Sequence, residues 1–339
     1  MSFAPQVARP RRERLSQDEM ARAGGILRAI TTSYDEKVVG QQGLRSSLLV
    51  ALMTGGHILL ESVPGLAKTT AAETLAAAVH ATFKRIQCTP DLLPSDIVGT
   101  QIFDYSKSTF ETQLGPVHAN FVLLDEINRS SAKTQSAMLE AMQEHQTTIG
   151  GVNYPLPSPF LVLATQNPIE QEGTYHLPEA QLDRFLLKEV LDYPDFAEEV
   201  EILDRIDAGV FDGDRATGSV SIDDVLFLQD VVKRVYLDSS ITNYIVSAVY
   251  VTRHAESYIT ADLAGCIEFG ASPRASIAFS KAARALALLD GRDHVVPDDV
   301  KALRHVVLRH RIILGFDAIA QDVKPETIID AIFASVQAP

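Results

Sequence analysis

The chain contains 339 residues, of which 46% are hydrophobic and 22% charged, as in an ordinary globular protein with one large or two medium domains. No apolar run approaches the roughly 20 residues that span a bilayer, which argues against a membrane protein. A formal net charge of −14 argues against nucleic acid as a partner, because phosphate binding requires clustered Lys and Arg.

The chain begins with a basic, proline-bearing segment that we interpret as a flexible arm over residues 1–15. This segment lacks the apolar stretch of a secretory signal, so a cytoplasmic location is expected. Cys88 and Cys266 have no second Cys or metal-type spacing beside them, and both are expected to be free thiols. A helix is predicted next, over residues 16–33.

From residue 36 to residue 191, short apolar runs alternate with helical stretches, which is typical of a parallel α/β sheet. Continuous apolarity indicates strands that are covered on both faces. Five such runs are predicted as buried strands: residues 57–60, 83–88, 121–124, 160–165 and 185–190. Residues 16–191 are therefore expected to form one α/β domain with a five-stranded parallel sheet.

Two hairpins are predicted as insertions in this domain, one formed by residues 99–103 and 109–114 and the other by residues 146–157. Insertions on a rigid scaffold often contact other molecules. After residue 191 the pattern changes to amphipathic helices, and residues 192–339 are predicted to form a smaller, all-helical domain. One of its helices is expected to begin at Ser272-Pro273, with Ser as the cap and Pro in the first turn.

A phosphate-binding loop is indicated between the first strand and the helix that follows it, where residues 62–69 read Ser-Val-Pro-Gly-Leu-Ala-Lys-Thr. The P-loop pattern has Gly at two positions that are occupied here by Ser62 and Ala67, so the string alone is only a partial match. In such a loop Lys68 would contact the β- and γ-phosphates, and Thr69 would be a ligand of Mg²⁺.

A pair of carboxylates, Asp125 and Glu126, ends the apolar run of residues 121–124. Ligands of parallel sheets lie beyond the carboxyl ends of the strands, so this pair is expected beside the phosphate loop. Asp125 would hold Mg²⁺ through water, and Glu126 would polarise the attacking water. Asn167, which follows the run of residues 160–165, would either orient that water or contact the γ-phosphate; the alternative is an ordinary turn before Pro168.

With these residues in place, the sequence resembles the AAA+ ATPases, and more narrowly the MoxR family, over about residues 36–320. The resemblance depends on strings spread along the chain: residues 39–41, 56–61, 63–69, 93–97, 125–129, 133–135, 140–142, 164–168, 177–185 and 272–275. It implies a P-loop AAA+ core followed by a helical lid, with ATP and Mg²⁺ as the bound groups.

The resemblance also implies roles that spacing alone does not give. Asn167 matches the sensor-1 position. Arg184 matches the arginine finger, which reaches the nucleotide of a neighbouring subunit, and Arg274 matches the sensor-2 arginine, acting in its own subunit or in the next. Lys68 and Glu126 complete the catalytic set. The expected nucleotide-binding residues are Val39, Gly40, Gln41, Val63, Pro64, Gly65, Leu66, Ala67, Lys68, Thr69, Thr70 and Asp125.

The family further implies a homo-oligomer in the form of a hexameric ring, with the hairpins directed toward the pore or a partner. Partners of family members often carry a von Willebrand factor A domain. The preferred function is therefore an ATP-driven, chaperone-like remodeller that acts on a protein during assembly or metal-cofactor insertion.

The sequence departs from the family pattern at four places. Ser62 replaces Gly, which could restrict the dihedral angles of the loop, His118 replaces an aromatic residue, His176 replaces Pro, and Ser-Ser-Ala at residues 130–132 replaces a more Pro-rich turn. Three other functions remain open at this point. They are a nucleic-acid motor of the ring-helicase type, a small-molecule P-loop kinase, and a scaffold that binds nucleotide without hydrolysing it.

Overall fold

The structure, a computed structural model, describes residues 14–63, 65–168, 175, 177–211 and 220–339. The predicted arm over residues 1–15 therefore falls almost wholly outside the described residues, as do Pro64 and His176. Within the described residues, no helix combines the length and the apolar character that crossing a membrane requires.

A five-stranded parallel sheet lies at the centre of the first part of the chain, with the strand order β2-β5-β8-β1-β9. The five predicted strands are confirmed, with their ends shifted by one or two residues. They are β1 (Ile58–Ser62), β2 (Phe83–Gln87), β5 (Phe121–Asp125), β8 (Leu161–Gln166) and β9 (Leu187–Leu191).

Alternate residues of the central strands enter two different cores. In β5, Phe121 and Leu123 pack on one face of the sheet and Val122 and Leu124 on the other. Because successive side chains of a strand point to opposite faces, a sheet with a core on each side needs apolar residues at every position. One predicted strand differs: β2 lies at the edge of the sheet, and Lys84, Arg85 and Gln87 are exposed, so its prediction as a buried strand was wrong.

Helices pack around the sheet. The first, α1, continues through Gly24-Gly25 to Lys37 and begins with a capping box in which Ser16 and Glu19 bond each other's backbone N–H. The helices of this part of the chain are α1 (Gln17–Lys37), α2 (Gln42–Thr54), α3 (Lys68–Ala78), α4 (Pro94–Val98), α5 (Ala132–Glu144) and α6 (Glu179–Leu182). A 3₁₀ turn spans Ile127–Arg129.

Both predicted hairpins are present, as β3 (Gly99–Asp104) with β4 (Thr109–Leu114) and β6 (Gln146–Ile149) with β7 (Val152–Pro155). The second turns at Gly150-Gly151, where φ is +58° and +81°, values that favour glycine. The two hairpins touch each other, since the hydroxyls of Thr112 and Tyr154 lie 2.9 Å apart.

Among the described residues beyond β9, the regular structure is helical, with a 3₁₀ turn at Ala255–Ser257 and one short antiparallel strand pair. The pair is β10 (Ile267–Phe269) with β11 (Ile313–Leu314), which the sequence did not indicate. The helices are α7 (Phe196–Asp207), α8 (Ile222–Arg234), α9 (Ser239–Thr252), α10 (Ala261–Gly265), α11 (Pro273–Leu289), α12 (Pro297–Ala302), α13 (Arg304–Leu308), α14 (Phe316–Ala320) and α15 (Pro325–Ser335). The domain boundary after residue 191 stays a prediction; one apolar core includes residues from both sides of it.

A buried ion pair connects this helical part to the sheet. Arg311 is 6% exposed, and its Nε donates to Asp183 Oδ1 over 2.8 Å. The same guanidinium donates to the carbonyls of Phe185, Leu186 and Val307. A buried guanidinium with its donors satisfied is tolerated, but removing its carboxylate would leave an uncompensated charge.

Replacing Asp183 by Asn tests this pair, because the amide has the same shape but no charge. We expect Asp183→Asn to lower the free energy of unfolding by about 3 kcal/mol, measured by urea denaturation. Asp330→Asn is the matched control: the Arg304–Asp330 pair is half-exposed and should contribute less than about 1 kcal/mol. Equal effects of the two substitutions would contradict the expectation.

His57, which precedes β1, is a second buried polar group. Its Nδ1 accepts a hydrogen bond from the Val162 N–H (3.1 Å), so Nε2 carries the proton and donates to the Met142 carbonyl (3.2 Å). Burial is the main cause that lowers the pKa of His57 to about 4. The folded chain therefore holds this histidine neutral.

This histidine predicts a pH dependence of stability. Below the ordinary His pKa of about 6.5 the unfolded chain binds a proton that the folded chain refuses until about pH 4, so stability falls as pH falls through this window. His57→Asn, which keeps an acceptor for the Val162 N–H, should reduce that slope in urea titrations at several pH values. His310, buried and with its pKa also lowered, should account for part of the slope that remains. An unchanged slope in the variant would show that His57 does not titrate in this way.

Candidate nucleotide site

The phosphate loop connects the carboxyl end of β1 to the first turn of α3. Lys68 is the first residue of this eleven-residue helix, so the helix N-terminus, with its unpaired N–H groups and positive dipole end, lies at the loop. Thr69 and Thr70 follow in the same turn. Gly65 and Ala67 have φ of +89° and +50°, which gives the loop its reversal before the helix starts.

Ser62 does not strain this loop. It is the last residue of β1 and pairs with Leu191 of β9, and it is absent from the positions with positive φ. The positive-φ positions among the described loop residues are Gly65 and Ala67, so the expected restriction at Ser62 is wrong. Its hydroxyl is buried and has no hydrogen-bond partner among the described residues.

Asp125 and Glu126 lie at the end of β5 and are fixed by a hydroxyl from the neighbouring strand. Thr165 Oγ1 donates to Asp125 Oδ1 and accepts from the Glu126 N–H, both over 2.8 Å. Thr165 is fully buried in β8. Strand β8 pairs with β5 on one side and with β1 on the other. The Thr165 side chain therefore holds the carboxylate pair close to β1, the strand that leads into the phosphate loop.

The charge of Lys68 interacts with those of this carboxylate pair. Partial burial lowers the pKa of Lys68 below its ordinary value, while the charges of Asp125 and Glu126 act in the opposite direction. The structure thus brings together four of the predicted residues: the lysine, the two carboxylates and the adjacent Thr69. Asn167 is buried directly after the end of β8, at the same edge of the sheet.

The edge strand β2 supplies side chains that the sequence reading missed. Gln87 Nε2 donates to Glu126 Oε2 over 3.0 Å, and Arg85 pairs with Asp125 Oδ2 over 2.5 Å. Arg129 Nη1 lies 3.1 Å from the same oxygen of Glu126. The polar residues of β2 were a signal for these contacts, because a run of five residues that contains Lys84, Arg85 and Gln87 is not an apolar run.

The segment expected on the adenine side lies at this edge as well. Val39 is buried, and Gly40 and Gln41 have φ of +63° and +50°. Gln41 Nε2 donates to the carbonyl of Asp192, just beyond the end of β9 (3.0 Å). A Cβ on Gly40 would lie 2.2 Å from the carboxylate of Glu198, which would have to move aside, and the φ of +63° itself favours glycine at this position.

The two predicted arginines lie elsewhere. Arg184 and Arg274 are exposed and line one groove together with Gly55, Gly56 and His57, the residues that precede β1. The phosphate loop follows the other end of β1. A five-residue strand is roughly 16 Å long, so in one copy the arginine pair lies near the amino ends of the parallel strands and the loop lies at their carboxyl ends.

One hydrogen bond fixes the arginine pair. Ser272 Oγ, in the cap of α11, donates to Asp183 Oδ2 over 2.8 Å. Arg184 follows Asp183 in the chain, and Arg274 is the second residue of α11. Arg184 also donates to the Leu139 carbonyl over 3.3 Å. The sequence left open whether Arg274 acts in its own subunit; the structure places it with Arg184.

The donor set fits a magnesium ion in the presence of a nucleotide. Mg²⁺ prefers hard oxygen ligands and keeps several waters. The hydroxyl of Thr69 and the carboxylate of Asp125 are such donors at the phosphate-loop edge, although one oxygen of Asp125 is engaged by Arg85. Binding through water suits a carboxylate whose own oxygens already have partners.

Comparison with known proteins agrees with this fold. The family model of the ATPase family associated with various cellular activities (AAA) matches residues 57–187, and that of the AAA lid domain matches residues 260–332. The solved structure of a candidate ATPase from Cytophaga hutchinsonii is 44% identical and superposes with a TM-score of 0.90, covering 95% of this chain and 98% of its own. The fold and the site define an AAA-type P-loop protein with a lid.

Two relatives identify the family. Chaperone MoxR1 of Mycobacterium tuberculosis is 50% identical over 302 residues, which cover 89% of this chain and 79% of the relative. Protein YeaC of Bacillus subtilis is 45% identical over 302 residues, which cover 89% of this chain and 91% of the relative. The chain belongs to the MoxR family of AAA+ ATPases.

The hydroxyl of Thr165 gives a test of the site's rigidity. Thr165→Val keeps the shape but leaves the Glu126 N–H without its acceptor, which we expect to cost about 1–3 kcal/mol in urea unfolding. Thr148→Val on β6 is the control, because the Thr148 hydroxyl bonds Asn153 at an exposed position. If both substitutions have the same small effect, Thr165 does not fix the carboxylate pair.

Proposed function

We propose that this chain hydrolyses ATP in a site that is completed between two copies of the chain. The observation that carries the proposal is the separation of the two halves: the phosphate loop with Asp125 and Glu126 lies at one edge of the sheet, and the exposed pair Arg184–Arg274 lies at the other. A head-to-tail contact between copies would bring the second half of one copy to the first half of the next, and repeated contacts of this kind close into a ring.

Each side chain would have a distinct task. Lys68 would bind the β- and γ-phosphates, and the N–H groups of the loop and of α3 would hold their oxygens. Glu126 would accept a hydrogen bond from the attacking water, and Asn167 would orient that water or contact the γ-phosphate. Thr69 and, through water, Asp125 would hold Mg²⁺, which would offset phosphate charge.

In the structure Glu126 is not free for that task. Its Oε2 accepts from Gln87 and pairs with Arg129, so a water that is to be polarised needs the other oxygen or a released carboxylate. The arginines of the neighbouring copy would stabilise charge on the transferred phosphoryl group. In related NTPases that effect is worth roughly 10³–10⁵ in rate.

We propose further that hydrolysis drives a chaperone-like remodelling of a protein partner. The name of the Mycobacterium tuberculosis relative, Chaperone MoxR1, supports this role. So does the β3–β4 hairpin, which exposes three aromatic rings: the ring of Phe103 lies 5.1 Å from that of Tyr105 and 5.1 Å from that of Phe110. Aromatic side chains held at a surface are suited to contact with protein. A hexameric ring, a partner with a von Willebrand factor A domain, action in assembly or metal-cofactor insertion, and a cytoplasmic location belong to the same proposal.

Mixing inactive variants tests a shared site. Glu126→Gln and Arg184→Ala should each lose nearly all ATP turnover, the second because the neighbour loses its arginine finger. In an equal mixture, the loop of an Arg184→Ala copy can meet the intact arginine of a Glu126→Gln copy, and roughly a quarter of the contacts become active. Phosphate release should therefore return on mixing.

Three outcomes would contradict the proposal. Turnover that persists in Lys68→Ala would remove the assignment of the phosphate loop. Failure of the mixture to regain activity would place Arg184 in its own copy's site. Turnover that rises with added DNA in a salt-dependent way would favour the nucleic-acid motor instead.

A further inference from the structure

Helix α7 turns its apolar side to solvent. Its polar residues Glu198 and Arg205 face the rest of the molecule. The Glu198 carboxylate lies against Gly40. Arg205 donates hydrogen bonds to the carbonyls of Asp35 (2.7 Å) and Glu36 (3.1 Å). The opposite side carries Phe196, Val200 and Leu203, which are 84%, 42% and 63% exposed, and Ile206, three residues after Leu203, is also 53% exposed. This order is the reverse of a normal surface helix, whose apolar stripe faces the core.

Phe196, Val200 and Leu203 form one continuous stripe. They are spaced four and three residues apart, so they lie on the same face of the helix, one above another. Glu199 and Asp204 flank the stripe, Asp207 lies in line with it at the end of the helix, and all three acids are exposed. We call Phe196, Val200 and Leu203 with these three acids the α7 stripe. A monomer gains nothing from exposing such a surface, which is the pattern of an interface.

The α7 stripe lies on the phosphate-loop side of the molecule. Helix α7 begins five residues after the carboxyl end of β9, the neighbour of β1, and it contacts the segment that contains Gly40. A copy that brings its arginines to this nucleotide site would therefore also approach α7.

The arginine face has the complementary character. On α11, Arg274, Ile277 and Lys281 are exposed and lie on one face, because they are three and four residues apart. Ile277 is 57% exposed between the two cations. These residues line the groove that also holds Arg184, and within the described residues Arg274 and Lys281 have no ion-pair partner. We call Arg274, Ile277 and Lys281 the α11 face.

We infer that the α7 stripe of one copy docks on the α11 face of the next copy. This inference rests on the proposed function, since it supplies the contact that would hold the two halves of the ATPase site together. The apolar residues of the α7 stripe would contact Ile277, and the acidic residues beside them would lie near Arg274 and Lys281. The two surfaces are therefore complementary in apolar character and in charge. The two surfaces lie on opposite sides of one copy, so the contact is heterologous and propagates from copy to copy.

Cross-linking between copies tests the contact. Val200→Cys and Ile277→Cys are made on separate chains, both in the Glu126→Gln background, and are mixed with ATP and a short bismaleimide. The native thiols do not interfere, because Cys88 and Cys266 are 1% and 0% exposed. We expect a cross-linked pair that contains one chain of each kind, formed only in the mixture.

Val246→Cys is the matched control for Val200→Cys. Val246 is the same residue type, is 48% exposed on α9, and lines neither surface. The inference is overturned if the mixture gives no mixed pair, if Val246→Cys cross-links to Ile277→Cys as well as Val200→Cys does, or if Val200→Cys links mainly to itself. The last result would show that two α7 helices pair face to face.

A second measurement does not depend on cross-linking. The double variant Val200→Ser, Leu203→Ser should raise the dissociation constant between copies roughly tenfold or more in analytical ultracentrifugation, whereas Val246→Ser should leave it unchanged. An unchanged dissociation constant would also overturn the inference. Failure here is distinct from failure of the proposed function, which depends on the turnover of Lys68→Ala and Glu126→Gln.

Discussion

Residues at the carboxyl ends of β1, β5 and β8 meet at one edge of the sheet because these strands pair in parallel, with β8 in the middle. That constraint places the phosphate loop, the carboxylates Asp125 and Glu126, and Asn167 beside one another although more than 50 residues separate some of them. The residues that precede β1 lie at the amino ends of the strands, in the groove that also contains Arg184 and Arg274. The two halves of the proposed site therefore have separate positions in one copy.

The carboxylates at this edge are already occupied by neighbouring side chains. Asp125 bonds Thr165 and Arg85, and Glu126 bonds Gln87 and Arg129. The Arg85 side chain is half exposed, and an ion pair in that setting contributes at most about 1 kcal/mol. Such a contact can be exchanged for contacts to a nucleotide at little cost. The buried hydroxyl of Thr165, by contrast, is a fixed part of the site.

The lid and the sheet are joined by interactions that also position the arginine pair. Asp183 accepts from Ser272 at the start of α11 and from the buried guanidinium of Arg311. Arg184 directly follows Asp183 in the chain, and Arg274 lies two residues after Ser272. Movement of the lid would therefore shift both arginines together, since one carboxylate connects their supports.

The sequence by itself determined the five strands, the two hairpins, the phosphate loop and the carboxylate pair, because these depend on local patterns of apolar residues and on spacing along the chain. It did not determine that β2 lies at an edge, that Thr165, Gln87 and Arg85 hold the carboxylates, that Ser62 lies in unstrained backbone, or that Arg274 lies with Arg184. Nor did it show that α7 exposes its apolar side, since amphipathicity gives a helix two faces but not the direction in which each points. Only the tertiary structure decided these features, because strand order, side-chain contacts and helix orientation are set by residues far apart in the sequence.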